Sequence, residues 1–209
     1  MAETADSIEL NPDRINWDKS AGLVPAIVQD ADSGRVLMLG YMNREALEKT
    51  QADGRVTFFS RSKQRLWTKG ETSGHHLDLV ALALDCDRDT LLVQARAHGP
   101  TCHLGTTTCW GETRRPSLGF LAELERVIES RRGSDPANSY TARLLAEGVK
   151  RAAQKVGEEG VEVALAAAVG EDDELIDESA DLLYHLLVTL AAREVTLARV
   201  VERLAERHV

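Results

Sequence analysis

A chain of 209 residues with 43% hydrophobic and 28% charged content is long enough for one large domain or two small ones, each with its own core. Its formal net charge of −9 argues against a nucleic-acid surface, which needs a basic stripe, and no apolar run approaches the roughly 20 residues that span a bilayer. The opening MAETADSIELNPD lacks the basic start and apolar centre of a signal peptide and is too acidic for a transit peptide, so the expected location is the cytoplasm. Three cysteines cannot all pair within one chain, and free or metal-bound thiols in a reducing compartment are the simpler expectation.

Taken in chain order, residues 23–110 read as β-rich. Short apolar or alternating runs at Leu23–Gln29, Val36–Tyr41, Val56–Ser60, Leu77–Asp85 and Leu91–Ala97 predict strands, punctuated by Gly34, Gly54, Gly74 and Arg88-Asp89. One helix is predicted over Asn43–Gln51, with Asn43 as N-cap. Pro116-Ser117 then interrupts the chain and the texture changes. Phe120, Leu121, Leu124, Val127 and Ile128 recur at helical spacing, and Gly133–Pro136 breaks the pattern. Another helix starts near Ser139–Thr141, and a long one runs to about Val169. After a turn at Gly170–Asp173, further helices reach Ala192 and the C-terminus. The expected fold class is α+β: a β-rich domain over 1–113 and an all-α domain over 114–209.

The three cysteines, Cys86, Cys102 and Cys109, fall within 24 positions, each close to aspartate or histidine. Thiolates favour zinc and carboxylates favour magnesium, so the region offers both kinds of ligand. Three thiolates leave a fourth tetrahedral position open, as in catalytic rather than structural zinc sites. Asp85, Asp87 and Asp89 alternate; an extended segment would place them on one face with Cys86 on the other. An isolated DxDxD is more commonly a solvated strand end, and buried free cysteines are common in cores; it is their coincidence here that favours a metal site. Upstream, Ser60, Arg61, Lys69, Gly70, Glu71, Thr72 and Ser73 gather hydroxyls, cations and a glycine, which suits a phosphate pocket but also an ordinary turn.

The order SRSKQRLWTKGETSG, LDCDRD, HGPTCHLGTTTCW resembles the phosphoribosyl-AMP cyclohydrolase family of histidine biosynthesis over most of residues 20–115. The resemblance implies that Cys86, Cys102 and Cys109 bind zinc and that Asp85, Asp87 and Asp89 bind magnesium. It also implies hydrolytic opening of the N1–C6 bond of an adenine ring, in a homodimer whose zinc site lies at the subunit interface. His103, beside Cys102, is the candidate for proton transfer, with His75 second; a histidine beside a ligand can equally serve to orient it. Trp110 stands where the family commonly has phenylalanine, and His76 is an additional histidine.

In the second half, Glu159 and Glu162 are three residues apart, as are Glu178 and Asp181, so each pair shares a helix face. Folding the two helices back on each other at residue 171 brings the pairs to heights that differ by only ~3 Å. Four acids flanked by Val161, Val163, Leu182, Leu183 and Leu186 are expected to be semi-buried and would then need a cation. The string KVGEEGVEVALAA…ESADLLYHLLV resembles phosphoribosyl-ATP pyrophosphohydrolase over about 118–209. That likeness implies magnesium-held diphosphate, attacked by water to release pyrophosphate. Lys155, with Lys150 and Arg151, would neutralise phosphate charge, and Glu158 is a further ligand or a base.

The expectation is therefore a bifunctional hydrolase using zinc and magnesium on the small-molecule substrates phosphoribosyl-ATP and phosphoribosyl-AMP. Two rivals stand beside it. In one, a single domain is active or the helical half is a general nucleotide pyrophosphohydrolase. In the other, the chain is a zinc-stabilised binding protein.

Overall fold

The computed structural model describes residues 8–111 and 118–208. The expected interruption at Pro116-Ser117 and the boundary at 113/114 lie outside the described residues. The chain divides into two compact units, Met1–Gly119 and Phe120–Val209.

In the first unit, two short 3-10 turns, Pro12–Arg14 and Trp17–Ser20, precede β1 (Val24–Asp30) and β2 (Val36–Met42). There follow α1 (Arg44–Asp53), β3 (Thr57–Ser60), β4 (Arg65–Thr68), β5 (Leu77–Leu84) and β6 (Leu91–Ala97). The main sheet has the order β2-β1-β6-β5; β1 runs antiparallel to β2 and parallel to β6, and β5 is antiparallel to β6. Strict alternation makes one face of β1 and β6 apolar. Val24, Ala26 and Val28 are fully buried with Leu91, Val93 and Ala95, and Leu37, Met42, Leu47 and Phe58 close the core. Helix α1 begins where the Asn43 carboxamide accepts the Ala46 N–H at 2.9 Å.

Strand β4 was not predicted. It pairs with β3 in a separate hairpin, matching Thr57 with Thr68 and Ser60 with Arg65. Its four residues, Arg-Leu-Trp-Thr, carry too few apolar side chains to show a period. Pairing is fixed instead by tertiary packing, with the Trp67 ring stacked on Phe58 at 5.6 Å. Strand β5 stops at Leu84, one residue short of the expected end, and the acidic run that follows is a turn.

The second unit comprises α2 (Phe120–Ser130), α3 (Tyr140–Glu147), α4 (Val149–Val169), α5 (Asp172–Ala192) and α6 (Leu197–His208). Ser139 caps α3 through the Ala142 N–H at 3.2 Å. Gly148, at φ +87°, separates α3 from α4 in a conformation that a side chain rarely tolerates. The core consists of Ile128, Leu144, Ala152, Leu187, Val188 and Ala191. Among the described residues no helix is long and apolar enough to cross a membrane.

Candidate active sites

In the first unit, the loop joining β5 to β6 is the tight turn that holds the aspartates. Asp85 Oδ1 accepts the backbone N–H groups of Asp89 at 3.0 Å and Thr90 at 3.1 Å, and Arg88 sits at φ +64°. The three carboxylates do converge, each offering an oxygen within 4.8 Å of the others. They converge because the chain curls around Asp85, not because an extended strand alternates them, so the expected one-face strand geometry is replaced by a turn. The Lys19 ammonium pairs with Asp89 at 2.6 Å and also with Asp87. Both hydrogen bonds push the Lys19 ammonium well above its usual range, and the one Lys19 donates to Asp87 holds that carboxyl below its own.

Cys102 and Cys109 belong to the loop after β6. The Cys102 N–H donates to Thr106 O at 3.1 Å, and the Cys109 N–H donates to Leu37 O at 2.9 Å, which ties the loop to β2. The Cys102 thiol is pulled below its ordinary value, first by the backbone N–H of Leu104, then by the Thr106 hydroxyl. Cys109 moves the other way, raised by burial and then by the neighbouring Cys102 charge. Two thiols so coupled, one predisposed to ionise, are suited to a soft divalent ion. Among the described residues Cys86 does not join them in a three-ligand cluster; it lies exposed on the aspartate turn.

Lys69 is buried beside the two thiols and donates to His75 O at 3.1 Å. Burial lowers the ammonium below its usual range, and the charges of Cys109 and Cys102 oppose that. Gly70, at φ +84°, makes this approach possible, since a Cβ there would lie 2.6 Å from the His75 carbonyl carbon. His103 Nδ1 is 3.9 Å from Cys102 Sγ. The His75 ring packs on Gly99, where a Cβ would come within 2.8 Å of it. The hydroxyl of Thr101, adjacent to Cys102, is buried with no hydrogen-bond partner among the described residues. Of the other expected phosphate-pocket residues, Ser60 meets Ser62 at 3.4 Å, and the Arg61 guanidinium lies 3.9 Å over the Tyr41 ring. Ser73 accepts the His75 N–H at 3.3 Å, and Thr72 is exposed beside it. Glu71 is already engaged: it bonds Arg65 at 2.6 Å, which holds its carboxyl below the usual range.

In the second unit, α4 and α5 present the acids to each other. Glu159, Glu178 and Asp181 each offer an oxygen within 4.8 Å of the others. Glu162 adjoins them: its carboxyl is raised above the ordinary range by a hydrogen bond to Glu159, then by burial and the charges of Glu159 and Glu178. Glu159 is buried and shifts downward, chiefly through Lys155 at 2.6 Å. Glu158 points elsewhere, bonding Lys155 at 2.9 Å and Gln154 at 2.7 Å, with Arg151 at 3.8 Å. The expected semi-burial holds in part: Val163, Leu182 and Leu186 are half-buried while Val161 and Leu183 are 60% and 45% exposed, and among the acids Glu159 is buried, Glu178 half-buried, and Glu162 and Asp181 exposed. Lys155, at 2.6 Å, and His185, at 3.4 Å, both contact the buried Glu159 carboxylate. His185, missed in the sequence, is buried; its Nδ1 lies 2.9 Å from Asp181 O and 3.4 Å from Glu159 Oε1, and its Nε2 meets Tyr140 OH at 3.1 Å. Tyr184 stacks on Tyr140 and bonds Thr141 at 2.8 Å.

The same order of two domains recurs in known proteins. Residues 38–111 match the phosphoribosyl-AMP cyclohydrolase family and residues 121–208 the phosphoribosyl-ATP pyrophosphohydrolase family. The histidine biosynthesis bifunctional protein HisIE of Vibrio parahaemolyticus is 57% identical over 210 aligned positions, covering 100% of both chains. Those of Escherichia coli (59% over 194 positions; 93% of this chain, 95% of that one) and Photobacterium profundum (59% over 199; 93% and 96%) are similar. The chain therefore belongs to the HisIE family of bifunctional histidine-biosynthesis hydrolases, with a cyclohydrolase domain followed by a pyrophosphohydrolase domain.

Proposed function

We propose that the two units act in succession in the cytoplasm, the helical unit converting phosphoribosyl-ATP to phosphoribosyl-AMP and pyrophosphate and the β unit opening the adenine ring of that product at N1–C6. The residues of the β unit suit zinc: Cys102 and Cys109 would hold it from one protomer, and Cys86 of the partner subunit would complete the set in a homodimer. Bound zinc would supply a water acidic enough to act as a nucleophile near neutral pH. The observation that carries this reading is that Cys102 and Cys109 share the loop after β6 while Cys86 stands apart on an exposed turn.

Around that centre, His103, whose Nδ1 lies 3.9 Å from Cys102 Sγ, would hand a proton to the ring nitrogen that leaves, with His75 the second candidate. Lys69, buried between the thiols and His75 O, fixes the loop and offers positive charge toward a phosphorylated ligand. Arg61 and the hydroxyls of Ser60, Thr72 and Ser73 would contact the ribose phosphates. Asp85, Asp87 and Asp89 are hard oxygen donors, suited to magnesium. In the helical unit Glu159, Glu162, Glu178 and Asp181 would hold the magnesium that neutralises a diphosphate, and Lys155 would keep Glu159 ionised for that purpose.

A shared zinc site has a specific test. Neither Cys86→Ser nor Cys102→Ser alone should open the adenine ring. Mixing and re-pairing the two variants should restore about a quarter of wild-type activity, since half the dimers are mixed and each carries one intact site. No recovery from a verified mixed dimer would place all three thiols within one chain.

A further inference from the structure

The segment before β1, outside the residues matched to the cyclohydrolase family, is fastened to the aspartate turn. The Asn16 N–H donates to Arg88 O at 2.7 Å, at the crest of the turn. Three residues on, the 3-10 turn Trp17–Ser20 delivers the Lys19 ammonium between Asp87 and Asp89. The bonds do not bury it: the side chains of Lys19, Asp87 and Asp89 are 43%, 58% and 22% exposed.

From this geometry we infer that Lys19 is a resident counter-ion of the turn, which a divalent cation must displace, so that metal loading is an exchange of one cation for another. The inference rests on the reading of Asp85, Asp87 and Asp89 as a magnesium site. A cation ligated at about 2.0–2.1 Å from the carboxylate oxygens leaves no room for an ammonium on the same atoms. Without any cation, three carboxylates within 4.8 Å would repel one another, so the lysine keeps the metal-free turn closed. Because an exposed ion pair contributes little, the lysine can rotate into solvent at small cost. Its attachment through Asn16 keeps it close enough to return when the metal leaves.

The probe is Mn2+ binding to the zinc-loaded full chain, followed by electron paramagnetic resonance of the free ion, with the helical site as an internal reference. Lys19→Met should tighten the β-unit phase by roughly 3- to 10-fold and leave the helical phase unchanged. It should also lower the melting temperature of the protein without Mn2+ and enlarge the rise that Mn2+ produces. Lys19→Arg, which keeps the charge, should bind close to wild type. Lys49→Met removes an equally exposed lysine paired with Asp53 and controls for the change in net charge. If Lys19→Met binds no more tightly than Lys49→Met, or more weakly, the exchange is wrong. If the β-unit phase survives Asp87→Asn undiminished, the magnesium reading falls and the exchange with it.

Discussion

Glu162 and Glu159 face each other with opposite tendencies. Glu159 is held ionised by Lys155, and that stabilising contribution is present above the ordinary glutamate pKa of about 4.3 and lost as pH falls through the depressed folded value. Glu162 has a raised folded pKa, so folding favours its protonated form; that contribution is present at low pH and lost as pH rises through the raised value. Above that range the metal-free protein carries an ionised Glu162 against Glu159 and Glu178. Glu162→Gln is thus expected to melt higher than wild type without metal at neutral pH, with the difference closing toward pH 4, while pyrophosphate release falls sharply. Thermal scans across pH with a chelator present check the sign. The acids themselves were legible because two i, i+3 pairs fall at matching heights on consecutive helices. His185 and Tyr140 were not, for they lie 45 residues apart and meet only through packing.

At the scale of elements, β1 and β6 announce themselves through alternation, because one face of each is buried consistently, and α1 through its cap, whereas β2 is legible only as an apolar run. The hairpin β3–β4 and the turn after β5 do not. The first is fixed by an aromatic stack, the second by side-chain acceptors that substitute for strand pairing. The aspartates were expected on one face of an extended strand; they meet in a turn instead, since period-2 spacing is also compatible with a turn closed by Asp85. Gly70 shows how such loops fix a site. Gly70→Ala would force a Cβ into the His75 carbonyl at φ +84°. A loss of about 1–3 kcal/mol in stability is expected from denaturant titration, with ring opening reduced more than pyrophosphate release.

At the scale of the whole chain, the two units have separate cores and separate acid sets, so their activities should separate by mutation. Cys102→Ser is expected to stop ring opening and leave pyrophosphate release largely intact. Asp181→Asn should do the reverse, with ring opening of supplied phosphoribosyl-AMP continuing. Parallel assays of pyrophosphate and ring-opened product check both, and a folded variant that loses both activities would contradict two independent sites.

The turn after β5 carries one more implication. Beside the backbone bonds from Asp85 N–H to Thr90 O and from Arg88 N–H to Asp85 O, two further N–H groups, of Asp89 and Thr90, bind the same oxygen, Oδ1 of Asp85, and leave Oδ2 for other partners. One atom of that side chain therefore does the work of the loop's architecture and the other is available for ligation. Asparagine keeps an Oδ1 and with it the shape of the loop, giving up the charge alone. Alanine surrenders both. Position 85 thus combines two properties that substitution can pull apart, and the loop's shape can outlast the loss of the charge.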